Sequence, residues 1–311
     1  MYILIALLVS GSVFSVDGIG QDLSTFRTPF LETQDIGQIA FTLNPEYTLL
    51  NEGGDFRGIF WTNPLQFAIS VPVISGFTVL AGNLERFDQS YDIHLQDTTL
   101  RIHGLGEGAI EEVYAGVNKN LGPVDIVATG SYLFGTAWEI WRYSISGYAI
   151  VDTFLYHYRG RMFNFGLRHK IFSVAYEGFG EVRMIKLEED TIIIDLPQRV
   201  SIGIYPKLGK WPLGIVYEHS LWDDTVYNSP HRFRISAHRG VFGVACYIDP
   251  WYIKDVTEYG FDISYAVPLR NVGSAKLNMA FTLRQKDGLR EFQFAPKLTF
   301  VLSELFIRRR K

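Results

Sequence analysis

Cysteine is nearly missing from this chain. The lone Cys246 excludes an internal disulfide, and with no second thiol it excludes a cysteine-built metal or redox centre. Charge is scarce as well: charged residues make up 20% of the 311 positions. Lys plus Arg number 29 and Asp plus Glu 33, spread along the chain for a net charge of −4, so no basic patch offers itself to nucleic acid. Beyond the N-terminus no run approaches the roughly eighteen apolar residues that a transmembrane helix requires. The sequence holds no GxGxxG, no phosphate-cradling P-loop and no HExxH, so it assigns no catalytic residue, no metal and no cofactor.

What the chain does have is aromatics at 15%, 29 glycines and a mean hydropathy of +0.07. These residues are ordered with period two. Between Tyr259 and Phe306, Tyr259, Phe261, Ile263, Tyr265 and Val267 alternate with Asp262, Ser264 and Ala266. Leu277, Met279, Phe281 and Leu283 alternate with Asn278, Ala280, Thr282 and Arg284, and Phe292, Phe294, Leu298 and Phe300 follow the same rule. Successive side chains of a strand face opposite sides of a sheet, so each run has one apolar wall and one wet wall. The runs last about nine to eleven residues, the length of a tilted bilayer-crossing strand, whereas strands of soluble sheets average about five or six. The unit recurs upstream at 64–73 and 77–87, across 104–135, at 154–168 and 171–184, at 199–206 and 211–222, and at 231–238 and 241–247. Residues 88–99 are polar and read as a loop, and 138–150 alternates only weakly.

The expected fold is all-β: a closed antiparallel transmembrane β-barrel of about fourteen strands, with about twelve as the lower count. Bilayer hydrocarbon offers no partner to free backbone groups, so such a sheet must close on itself. The division expected is a signal peptide over 1–15, an N-terminal arm or partial plug over 16–35, and the barrel over 36–311. Export without a spanning helix leaves the periplasm, the medium or an outer-membrane barrel, and the long half-apolar strands point to the bacterial outer membrane, with its lipid as the surrounding partner.

Gly108-Ala109-Ile110-Glu111-Glu112 leads to Gly116, and Ser131-Tyr132-Leu133-Phe134-Gly135 ends the next strand. These and further stretches resemble the FadL/PorV superfamily of outer-membrane barrels, the long-chain fatty-acid transporter and related secretion-system barrels. Leu196-Pro197 opens the strand at 199–205, the strand at 211–222 follows, and the chain closes on Leu298 to Lys311. The resemblance covers about residues 60–311 and implies passive transport of small or hydrophobic solutes, with hydrophobic small molecules as ligands. The alternative it leaves is a scaffold or secretion-associated partner barrel without transport. The chain departs from the family at its N-terminus, where Asn44-Pro45-Glu46 and Asn63-Pro64-Leu65 appear without a Gly/Ala-rich hatch, and no ligand-binding residue carries over.

The wet walls name the candidate lumen lining: Arg168, Glu177, Glu218, Arg232, Arg234, His238, Asp262 and Arg284. The arginines would make a cationic lumen for anionic solutes, or would pair with Asp262, Glu177 and Glu218 to fill a narrow one. Ser236 and His238 share a face, as a lipase pair would. That face is the one of Arg232 and Arg234, and no orienting acid is legible, so the chain reads as no enzyme. Acidic runs at Glu188-Glu189-Asp190 and Asp223-Asp224, and the basic tail Arg308 to Lys311, read as solvated segments.

Overall fold

A computed structural model describes residues 21–22 and 37–303, apart from short gaps at 53, 63–64, 75, 97–99, 146, 187–190, 195, 222–230, 251–254, 270–272 and 287. The expected signal peptide, most of the arm, both acidic runs and the basic tail lie outside the described residues.

Alternating apolar and polar residues become fourteen antiparallel wall strands. β1 (38–52) is Gln38–Leu43 continued by Pro45–Glu52, β2 (55–74) is Asp55–Thr62 continued by Gln66–Ile74, and β3 (77–96) is Phe77–Asp88 continued by Tyr91–Gln96. The three longest strands follow: β4 (Leu100–Asn120), β5 (Val124–Ile145) and β6 (Tyr148–His169). β7 (172–186) and β8 (191–204) are each made of two pieces. Then come β9 (Trp211–Leu221), β10 (His231–Arg239), β11 (Phe242–Pro250), β12 (Thr257–Leu269), β13 (Gly273–Lys286) and β14 (Leu289–Ser303). Each strand pairs with the next. β14 returns to β1, with Phe300 opposite Phe41 and Phe294 opposite Tyr47, and that pairing closes the barrel.

The connections at one end are short. At the β4–β5 turn, Gly122 takes a left-handed φ of 87° and its N–H donates to Asn120 Oδ1 at 2.9 Å, so the turn is closed by its own side chain. The opposite end carries the longer connections, and there β4, β5 and β6 run on far past the ten or so residues that cross a bilayer.

Which face is which follows from burial. On β6, Tyr158, Met162 and Gly166 are buried while Arg161, Phe163 and Phe165 between them are exposed. On β10, Phe233 and Ile235 are exposed and Arg232 is buried. An outer belt of exposed Phe, Ile, Val and Tyr on every side of a sheet is far larger than the few hundred Å² a soluble surface carries, and it suits a bilayer.

Three stretches differ from the sequence expectation. Residues 88–99 are largely strand, because β3 continues through Tyr91–Gln96. The weakly alternating 138–150 belongs to the tall β5–β6 hairpin. The sequence reading has no strand between 44 and 63, yet Pro45–Glu52 and Asp55–Thr62 are hydrogen-bonded continuations of β1 and β2.

Candidate functional site in the barrel wall and interior

β2 and β3 separate partway up the wall. They pair from Ile74 opposite Phe77 to Phe67 opposite Asn83, and beyond that point no ladder joins them among the described residues. At the last rung the Phe67 N–H donates to Asn83 Oδ1 at 2.9 Å, so a side chain takes the place of a strand carbonyl. Gly82 sits beside it. A Cβ there would stand 2.4 Å from the Phe67 carbonyl oxygen and 2.5 Å from the Tyr114 hydroxyl, so only glycine permits this close approach.

Above Gly82, β3 keeps its pairing with β4 but slips register between Glu85 and Phe87. Such a bulge adds a residue to one strand and bends it. Every residue from Leu84 to Tyr91 is buried, on both faces of the strand. A wall strand shows one face to the outside, so this segment has left the wall and lies within the barrel. Its edge away from β4 faces the parting. Gln21 and Asp22 pair there with Asp88 and Phe87, and the Asp55–Thr62 part of β2 forms the far side.

The inward bend puts two successive side chains, Arg86 and Phe87, fully inside at 0% exposure. The Arg86 guanidinium grips Glu177 of β7 with both arms, Nη2 to Oε2 at 2.7 Å and Nη1 to Oε1 at 3.4 Å. Arg199 Nη1 of β8 stands 3.6 Å from the same carboxylate. β3 and β7 are not neighbours in the sheet, so this ion pair crosses the lumen. Phe87 joins an apolar cluster with Ile110, Leu133, Tyr158, Met162, Val182 and Leu196, contributed by β4 to β8. Tyr158 donates from its hydroxyl to Gln89 Oε1 at 3.4 Å, a second contact across the interior.

The other half of the barrel carries a polar ring that passes from strand to strand. Arg232 of β10 reaches Asp249 of β11 at 2.5 Å, and Glu218 of β9 and Glu258 of β12 at 3.8 Å each. Glu258 also holds Arg284 of β13 at 2.5 Å, and Arg284 binds Glu291 of β14 at 2.6 Å. Gln293 of β14 donates to Glu46 of β1, and Thr48 donates to Glu46 at 3.4 Å.

Four of the sequence-named residues, Glu218, Arg232, Arg284 and Glu177, thus sit in these two networks. Arg234 and Asp262 form a separate pair at 2.9 Å nearer the short-turn end. With Ser236, His238, Lys276 and Asn278 they line a polar chamber of about 120 Å³. Arg168 stands apart, its guanidinium 5.5 Å above the Tyr205 ring. Ser236 Oγ donates to the Gly214 carbonyl at 3.4 Å, and no hydrogen bond links it to His238 among the described residues. Arg86, Phe87, Asp249, Glu258, Glu291 and Glu46 were not named from sequence. Arg86 keeps the even parity of Thr78, Leu80 and Leu84, the buried face; the bulge that turns Phe87 inward beside it shows only once the register with β4 is known.

The glycines that carry the resemblance have a structural task too. A Cβ on Gly108 would stand 2.3 Å from the Thr136 carbonyl oxygen, and one on Gly135 would stand 2.0 Å from that of Ala109, so β4 and β5 bend there in close contact. The bend leaves an outer-face hollow of about 510 Å³ edged by Glu107, Glu111, Thr136, His157 and Arg159.

No protein-family model matches the chain, and no curated protein matches it in sequence. Solved structures do match. The P. putida toluene transporter TodX has a TM-score of 0.56 at 9% identity, over 97% of this chain and 100% of that one. The Ralstonia pickettii toluene transporter TbuX has a TM-score of 0.57 at 10% identity, over 87% and 90% of the two chains. A Pseudomonas aeruginosa FadL homologue has a TM-score of 0.51 at 8% identity, over 86% and 90%.

Proposed function

We propose, from the premise that the chain folds as a FadL-like barrel, that it is an outer-membrane conduit for small hydrophobic solutes. The solute enters from the end with the tall strands and leaves sideways, through the parting between β2 and β3, into the surrounding lipid. The carrying observation is that parting: among the described residues β2 and β3 share no ladder beyond Phe67, and a transmembrane wall breaks its pairing only where something is to pass or dock. The interior supports a lateral route. At the level of Arg86 the lumen is crossed by an ion pair and an apolar cluster, so an axial water path meets side chains. An apolar solute gains about 25 cal/mol for each Å² it keeps from water, and this route never returns it to water. Transport is passive, driven by partition down a gradient, and involves no covalent chemistry.

The likeness to toluene transporters suggests monoaromatic hydrocarbons as the first solutes to try. Uptake of radiolabelled toluene is measured in cells carrying the wild-type chain, an empty vector, or a chain lacking Arg86, the extra residue of the bulge. Wild-type cells take up toluene faster than vector cells, and the deletion, which lets β3 return to the wall, removes the gain. Equal uptake in wild-type and vector cells overturns the proposal. A deletion variant that folds and transports as wild type overturns the lateral route.

A further inference from the structure

The upper rim of the barrel carries a cluster that the transport reading does not use. His94 of β3 and His103 of β4 are direct cross-strand partners, and their imidazoles stack with centroids 3.9 Å apart and planes inclined by 15°. Asp92, two residues before His94, lies on the same face. Its Oδ1 stands 3.1 Å from His94 Nε2 and 2.8 Å from His103 Nε2. One donor atom from each of the three residues lies within 4.8 Å of the other two.

We propose that Asp92, His94 and His103 bind a divalent transition-metal ion of the zinc class. Two imidazole nitrogens and one carboxylate oxygen are borderline ligands that suit Zn²⁺, Ni²⁺ or Cu²⁺, whereas Ca²⁺ and Mg²⁺ take all-oxygen shells. A tetrahedral ion about 2.0–2.1 Å from each donor sets the donors roughly 3.3 Å apart. The two short edges of this triangle need to open by only a few tenths of an ångström. The side chains have room to shift, being 42%, 30% and 29% exposed for His94, His103 and Asp92. Three protein ligands on an open surface leave the fourth position to water.

Arg142 works against the ion. Its Nη1 lies 3.4 Å from His103 Nδ1. A guanidinium only donates, so in this arrangement Nδ1 accepts and Nε2 carries the ring proton toward Asp92. Metal binding at Nε2 moves that proton to Nδ1 and turns Arg142 away, at the cost of one hydrogen bond and some charge repulsion. The position has a consequence for the wall. The Tyr91–Gln96 part of β3 pairs only with β4 among the described residues, so the ion is a second tie between β3 and β4 beside the parting. The site itself stands whether or not solutes pass there.

The test uses the full chain without an affinity tag, refolded in detergent and checked for its folded gel mobility. Zn²⁺ alone is titrated against a chromophoric chelator, and Co²⁺ absorption reports the coordination geometry. The wild type binds one Zn²⁺, and the His94→Ala/His103→Ala double variant binds it at least tenfold more weakly. Arg142→Gln binds it more tightly. His219→Ala/His231→Ala removes the other stacked imidazole pair, with centroids 4.2 Å apart, and binds as wild type. The proposal is overturned if the wild type binds no more tightly than His94→Ala/His103→Ala, if Arg142→Gln weakens binding, or if the His219/His231 variant loses it.

Discussion

Glu177→Leu tests whether the lumen is crossed at mid-height. The substitution leaves Arg86, at 0% exposure, without the carboxylate that grips it, and takes the same partner from Arg199, whose side chain is 4% exposed. Removing one member of a buried pair costs about 3–5 kcal/mol, mostly as desolvation of the charge left behind. With a denaturant slope of about 2–3 kcal/mol per molar urea, the unfolding midpoint falls by roughly 1–2.5 M. Arg86→Met/Glu177→Leu removes one stranded charge and therefore costs less than Glu177→Leu alone. The assay is equilibrium urea unfolding in lipid vesicles, followed by tryptophan fluorescence, for the wild type, both single variants and the double. A Glu177→Leu midpoint within about 0.3 M of wild type refutes the reasoning, because a charge in water loses little with its partner. Strict additivity of the two single effects refutes it as well.

Two further outcomes follow from the packing of the wall. Gly82→Val lowers the yield of folded barrel sharply, since its Cβ meets the backbone oxygen of Phe67, which cannot swing away as a side chain could; gel mobility of refolded protein reports it. Phe163→Lys, on the exposed apolar belt, costs about 2–4 kcal/mol of folding stability in vesicles, and Asn278→Lys, beside the polar chamber, costs under half as much.

How far the sequence could be read depends on what surrounds each stretch. Around Phe233 and Arg232 or Phe261 and Asp262, alternation separates the exposed apolar side chains from the more buried polar ones, because the two faces of the sheet meet such different surroundings. Above the apolar belt both sides are wet. Asp92, His94 and His103 stand there, so Tyr91–Gln96 reads as a loop although it is hydrogen-bonded strand. The tall ends of β5 and β6, from Trp138 to Ile150, lose their alternation for the same reason. Phe87, inside although it shares the parity of the exposed Phe77 and Val79, is illegible for another cause. A bulge shifts the parity by one residue, and only the register with β4 shows where. The charged pairs are half legible. Arg234 with Asp262 follows from parity on strands only two places apart, while Arg86 with Glu177 joins strands four places apart and needs the curvature of the closed sheet.

The polar ring from Glu218 to Glu46 also bears on how the barrel is assembled. Gln293 and Glu46 are 247 residues apart in sequence, and they meet only when the last strand finds the first. Until then the far end of the ring, with Arg284, Glu291 and Gln293, lies at an open seam. A sheet that closed early, with a strand too few, would strand Glu46 and Gln293 in its interior without each other. Correct closure is thus scored by electrostatics as well as by backbone pairing, and an error in strand count is penalised at the moment it is made.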